Sequence, residues 1–160
     1  LKMRKWCLLL LALLSTQALS WNITTNKQEL KGNENAIMVL PVSESKMIGF
    51  KCKEGRLSLT YYFSDQRTLL KKDLYGALIF KIDGAEFRME GPLTRQNILS
   101  IGITLDDHET LLTILKLLAK NPKGFYVLEE LEYAYRPYKI GLYDPVSSVK
   151  KFTKLCNIAL

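Results

Sequence analysis

From Lys46 onward the chain alternates apolar and polar residues. Ile48, Phe50 and Cys52 fall on one side, and Gly49, Lys51 and Lys53 on the other. Leu57, Leu59, Tyr61 and Phe63 then alternate with Ser58, Thr60 and Tyr62. A strict period of two is the mark of a half-buried antiparallel strand. The pattern predicts a hairpin from Phe50 to Phe63 with its turn at Glu54-Gly55 and Cys52 facing inward. Leu74 to Ile82, an Asp83-Gly84 turn, and a return through Ala85, Phe87 and Met89 predict a second hairpin. Gly91-Pro92 is expected to break the return strand.

Around these hairpins lie shorter elements. Trp21 to Thr25 reads as a first strand with an aromatic anchor. Ala36 to Val42 is apolar on both faces, which predicts a strand that is either fully buried or packed beneath the helices, while Pro41 argues for an edge position. Asn97 to Ile103, Phe125 to Tyr133 and Tyr138 to Leu142 read as further strands, the last two flanking Pro137. Ser64 to Asp73 reads as a charged loop carrying Arg67, Lys71 and Lys72.

The period changes twice. Between Asp106 and Lys120, Leu111, Ile114, Leu115 and Leu118 share one helical face behind an aspartate cap, and Asn121-Pro122 closes the helix. Asp144-Pro145 starts a second helix with Val146, Val149, Phe152 and Cys156 inward. The expectation is a mainly β, β-rich α+β fold. It is one antiparallel domain of sandwich or curled-sheet type with two helices, the second at the C-terminus.

The first twenty residues read differently. Arg4 and Lys5 precede the apolar run Leu8–Leu14, and Ala18 and Ser20 are the small residues that signal peptidase reads. This predicts a signal peptide over residues 1–20, cleaved near Ser20/Trp21, and one exported domain over 21–160, periplasmic or secreted. The run is short of the ~20 residues a membrane-spanning helix requires, so no transmembrane segment is expected in the mature chain. Asn22-Ile23-Thr24 matches a glycosylation sequon, which we read as coincidental beside a bacterial-type signal.

Cleavage changes the charge picture. The chain carries a formal +7, and loss of Lys2, Arg4 and Lys5 leaves 20 basic against 16 acidic residues, a formal +4. That is an ordinary surface balance, and nucleic acid is not expected as a partner. Cys52 and Cys156 remain as an even pair in an oxidising compartment, which favours a disulfide over two buried thiols. Closing a loop of that length is worth about 4–5 kcal/mol in the chain-entropy picture.

Several groups carry candidate chemistry. His108, the only histidine, sits in Asp106-Asp107-His108-Glu109, where acids at a helix start suffice to explain the cluster. No HxxH, HExxH or CxxC spacing predicts a metal site, and no cofactor or catalytic residue is expected. Glu129, Glu130 and Glu132 read as a solvated strand edge. Tyr133, Tyr135, Arg136, Tyr138 and Lys139 around Pro137 have the composition of an interface hot spot and form the candidate interaction surface.

The stretches Ile48-Gly49-Phe50-Lys51-Cys52, Lys81-Ile82-Asp83-Gly84, and Ile140-Gly141-Leu142 through Cys156, behind a first-strand Trp21, carry a resemblance. The chain resembles the small exported VasI/TagO proteins associated with type VI secretion. It departs from them in lacking a second tryptophan in mid-chain and the Thr-Asp motif after the first strand, where Thr25-Asn26 stands. The resemblance implies a cysteine-paired periplasmic β-protein and a link to secretion. With it, the expected function is a non-enzymatic binding or accessory protein of the bacterial envelope, acting through protein–protein contacts. The alternative is a periplasmic inhibitor or immunity-type protein that blocks a secreted or envelope hydrolase, with Ser64–Asp73 as its plug.

Overall fold

A computed structural model describes residues 21–26, 35–64, 75–95, 100–131 and 134–160. Residues 1–20, expected to be a signal peptide, the stretch with Arg67, Lys71 and Lys72, and Glu132 and Tyr133 lie outside the described residues. Among the described residues nine strands and two helices follow in order: β1 (Asn22–Asn26), β2 (Asn35–Ser43), β3 (Lys46–Lys53), β4 (Arg56–Ser64), β5 (Tyr75–Ile82), β6 (Ala85–Arg95), β7 (Ser100–Leu105), α1 (His108–Leu118), β8 (Phe125–Leu131), β9 (Ala134–Lys139) and α2 (Pro145–Leu155). The strands form one antiparallel sheet in the order β1-β2-β3-β4-β7-β6-β5-β8-β9. The sheet is curled, and the expected mainly β fold with a C-terminal second helix is what the chain adopts.

Both tight turns have backbone angles that only a few residues take comfortably. Glu54 and Gly55 have φ of 51° and 75°, and Asp83 and Gly84 have 45° and 89°. Two successive positive φ values match the right-handed twist of the flanking strands. Asp83 also ties its turn to the chain entering β8, because its carboxylate accepts from the backbone N–H of Lys123 and Gly124 at 2.8–3.0 Å.

The curl is made at Gly91-Pro92, where sequence reasoning placed a strand break. Instead β6 runs through both residues and changes neighbour. It pairs with β5 as far as Pro92↔Tyr75 and then with β7 from Leu93↔Ile103. A strand that switches partners in this way turns a corner between two halves of a sheet. A Cβ on Gly91 would lie 2.5 Å from the carbonyl oxygen of Thr104, so the corner requires glycine.

Two other proline expectations are corrected. β2 is not at an edge: it lies between β1 and β3, but β1 reaches only to Val39, so Pro41 occupies a stretch with β3 alone beside it. Of the two readings of β2, the strand beneath a helix is the one found: Ala36, Met38 and Leu40 are inside and α2 packs on the strand, while Ile37 is exposed. Pro137 does not separate two strands but lies within β9, which ends at Lys139. Ile140 donates its N–H to Phe125 O at 2.9 Å. Bonded pairs alternate from there, which leaves the nitrogen of Pro137 on the side away from β8.

The inner faces of the two halves enclose the core. Phe50 of β3 meets Phe80 of β5 edge-on at 6.3 Å, and Phe80 stacks on Phe125 of β8 at 5.8 Å. Helix α1 packs its buried Leu111, Ile114, Leu115 and Leu118 against β4 and β5, and α2 packs on β1, β2 and α1. Asp107 caps α1, accepting from the Thr110 backbone and hydroxyl; these bonds hold its carboxyl below the usual range. Helix α2 ends in a reciprocal cap, with Asn157 N–H bonded to Lys154 O and Ile158 N–H to Thr153 O. Cys156 closes this helix and is bonded to Cys52 of β3, 104 residues earlier, with the Cα atoms 5.9 Å apart. Trp21 donates its indole N–H to Gly141 O at 2.9 Å, which fastens the start of β1 to the segment leading into α2.

Candidate functional site

The inner face of β3 changes character along its length. Cys52 at one end holds the disulfide and Ile48 and Phe50 fill the core, while Lys46 at the other end is of the same parity and so also points inward. With ~3.3 Å per residue, Lys46 lies about 20 Å from the disulfide. A lysine pointing into an apolar shell needs an anion, and β8 supplies one. Phe125, Val127 and Glu129 are its inward residues, and Glu129 is only 2% exposed.

The ammonium of Lys46 donates to both oxygens of Glu129, at 3.0 and 2.7 Å, and to the hydroxyl oxygen of Tyr138 at 2.7 Å. These three bonds use its three hydrogens. It also lies 4.8 Å from the centre of the Tyr138 ring. Tyr61 of β4, fully buried, donates its hydroxyl to the same Glu129 oxygen that Lys46 approaches most closely. Burial, and then the hydrogen bond and charge of Glu129, push the Tyr61 phenol far above its ordinary value, against a smaller pull from the charge of Arg136. The carboxylate is thus enclosed by an ammonium and a phenol that keeps its proton.

The structure therefore corrects the reading of the three glutamates as a solvated edge. Glu129 is inside. Glu130 is on the outer face, where Arg88 of β6 reaches it across β5 and also holds Glu90 at 2.8 Å. Ala77 pairs with both glutamates and is small enough to leave that path open. Contact with Arg88 holds Glu130 below the usual carboxylate range. Glu132 lies outside the described residues.

The candidate interaction surface is distributed over two faces of β9. Tyr138 and Arg136 pair with the inward residues Val127 and Glu129, so they share the inner face. Tyr138 is half-buried against Lys46, while Arg136 is exposed. Lys139 is on the outer face beside Tyr126, which is 43% exposed. Arg136 and Tyr138 thus do not share a face with Lys139. Of Tyr135 only the strand position is described, and Tyr133 lies outside the described residues.

His108 has a structural task that its sequence context did not suggest. Strand β7 ends at Leu105, and β4 continues beyond it toward Leu57. The ring Nδ1 of His108 accepts the Leu57 N–H at 3.0 Å, which satisfies a donor the ladder no longer reaches. Lys46 and Glu129 are legible in sequence only as residues that continue the inward parity of their strands. Among the described residues, no group of three or more His, Cys, Asp and Glu side chains is placed to hold a metal ion. Comparison with protein-family models, with curated proteins and with solved structures finds no match to the chain.

Proposed function

We propose that the chain is an exported, non-enzymatic binding or accessory protein of the bacterial envelope that engages a protein partner through β9 and its neighbour β8. The observation that carries this reading is the division of labour among the polar residues. Groups suited to acid–base chemistry are occupied in holding the fold: Glu129 receives Lys46 and Tyr61, and His108 receives a backbone amide. Arg136 and Tyr126, by contrast, are exposed side chains of types enriched at interface hot spots, and Lys139 is an exposed charge suited to a polar rim.

β9 is the last strand of the sheet order, and Pro137 removes a donor from its outward edge. A partner strand would find that ladder interrupted, so side chains rather than main-chain pairing carry the contact. Export agrees with the leader composition and with the buried disulfide, which persists in oxidising compartments.

The test is affinity capture. The chain, tagged after Leu160, is expressed in its own host with its leader intact, crosslinked, and compared with an Arg136→Ala/Lys139→Ala double variant. The expected result is one stoichiometric envelope or secretion-system protein, lost in the variant at an unchanged melting temperature. Equal capture by the variant would remove β9 from the reading, and a captured hydrolase would make the chain an inhibitor instead. Absence of any specific protein would overturn the binding role.

A further inference from the structure

The ionic cluster on the inner face leaves a particular set of groups unspent. Lys46 gives all three hydrogens to Glu129 and Tyr138. Glu129 lies directly opposite Arg136 in the β8–β9 register and would be its natural partner. Its oxygens are instead taken by Lys46 and Tyr61. Arg136 is left exposed and bonded to no described residue, yet its charge is felt at the Tyr61 hydroxyl.

Tyr138 is in a matching state. Its oxygen accepts from an ammonium, which polarises the O–H, and that proton has no acceptor among the described residues. The charges of Lys46 and Glu129 offset one another, so with Arg136 the described residues of the site carry one net positive charge. The residues two apart on one strand face sit about 7 Å from each other along the backbone. The unspent groups are thus a guanidinium fork and a polarised phenol, donors both.

We propose that Arg136 and Tyr138 form a carboxylate-binding site at the inner face of β9, and that the partner protein enters it with an acidic group. This rests on the binding role argued above. A guanidinium takes a carboxylate through two parallel hydrogen bonds, and the phenol adds a third. A monoanion matches the single net charge, whereas a phosphate dianion would exceed it. The buried pair beneath serves as the fixed floor: Lys46 orients Tyr138, and Glu129 keeps Lys46 from binding the ligand itself.

The test requires no partner. Side-chain NMR signals of Arg136 and Tyr138 in the full chain are followed during titration with sodium acetate, and separately with sodium phosphate, at constant ionic strength. Acetate is expected to give saturable shifts that vanish in Arg136→Gln and weaken about tenfold in Tyr138→Phe, the loss of one charge-assisted hydrogen bond. Lys139→Gln, on the opposite face, should titrate like the parent. Shifts that stay linear in acetate, or that persist in Arg136→Gln, would overturn the site, and tighter binding of phosphate would overturn its assignment to carboxylates. Saturable acetate binding with no captured protein would remove the partner role alone. Capture that depends on Arg136 without acetate binding would remove this site alone.

Discussion

Glu129 on β8 holds both carboxylate oxygens against the ammonium of Lys46, 83 residues earlier on β3. The pair joins the two halves of the curled sheet through an interior lined mainly by apolar side chains. Removing one partner strands a charge whose desolvation is no longer offset, at a typical cost of 3–5 kcal/mol. Replacing both with apolar residues removes the attraction and the stranded charge together. Urea unfolding should therefore show Lys46→Met or Glu129→Leu losing about 3–5 kcal/mol each, and the double variant losing clearly less than either. Additive losses would mean that the two residues act independently.

Tyr61 predicts an alkaline limit. In the unfolded chain its phenol ionises near pH 10, whereas in the fold burial and Glu129 hold the proton to much higher pH. A raised folded value means stability that is complete below about pH 10 and is lost as pH rises beyond it, by up to about 1.4 kcal/mol per pH unit. Stability measured from pH 9 to 11.5 should fall more steeply in the parent than in Tyr61→Phe. Parallel curves would show that Tyr61 does not carry the limit.

The Cys52–Cys156 bond fixes α2 to β3 across 104 residues of chain. Replacing both cysteines with alanine should lower stability by about 2–5 kcal/mol, read as a drop in urea midpoint. Reduction should add two hydrogens to the intact mass. Free alkylation of both thiols without prior reduction would contradict the bond.

Much of this was legible because parity along a strand is a local property. Ile48, Phe50, Cys52, Leu57, Leu59 and Tyr61 are inside as their alternation requires. Both turns, both helix caps and the cysteine pair follow from chemistry within a few residues or from composition. The failures share a different cause. Pro41, Pro92 and Pro137 each read as a break or an edge, but whether a strand tolerates proline depends on which neighbour lies on each flank, and that is a matter of topology. The Lys46–Glu129 pair was missed although both residues have inward parity. Its meaning depends on two distant strands facing each other, and three glutamates in four positions look like surface until one is seen to continue the series Phe125, Val127.

Glu54 is the weaker residue of its turn. It holds φ of 51°, where a side chain without a local hydrogen bond is disfavoured by about 1 kcal/mol, while asparagine and glycine suit such turns. Glu54→Asn should raise stability by about 0.5–1 kcal/mol, seen as a higher melting temperature. A neutral or lower value would mean that the Glu54 side chain makes a compensating contact.

Gly91 should be the least tolerant glycine of the sheet, for a reason that differs from backbone freedom. A methyl group there would meet the carbonyl oxygen of Thr104 at 2.5 Å and the side chains of Leu105 and Ile103 at 2.9 and 3.1 Å. Side chains can shift, but the carbonyl belongs to β7, which pairs with β4 on its other side through the same residue, Thr104↔Thr60. Relief would have to open the corner at which β6 changes partners. Gly91→Ala should cost about 1–3 kcal/mol or more. By comparison, alanine at Gly141, where an added Cβ has nothing within 4 Å, should leave stability within about 0.5 kcal/mol. Urea unfolding of the two variants side by side decides it: equal stabilities would mean that β6 and β7 approach less closely at Gly91 than the corner geometry requires.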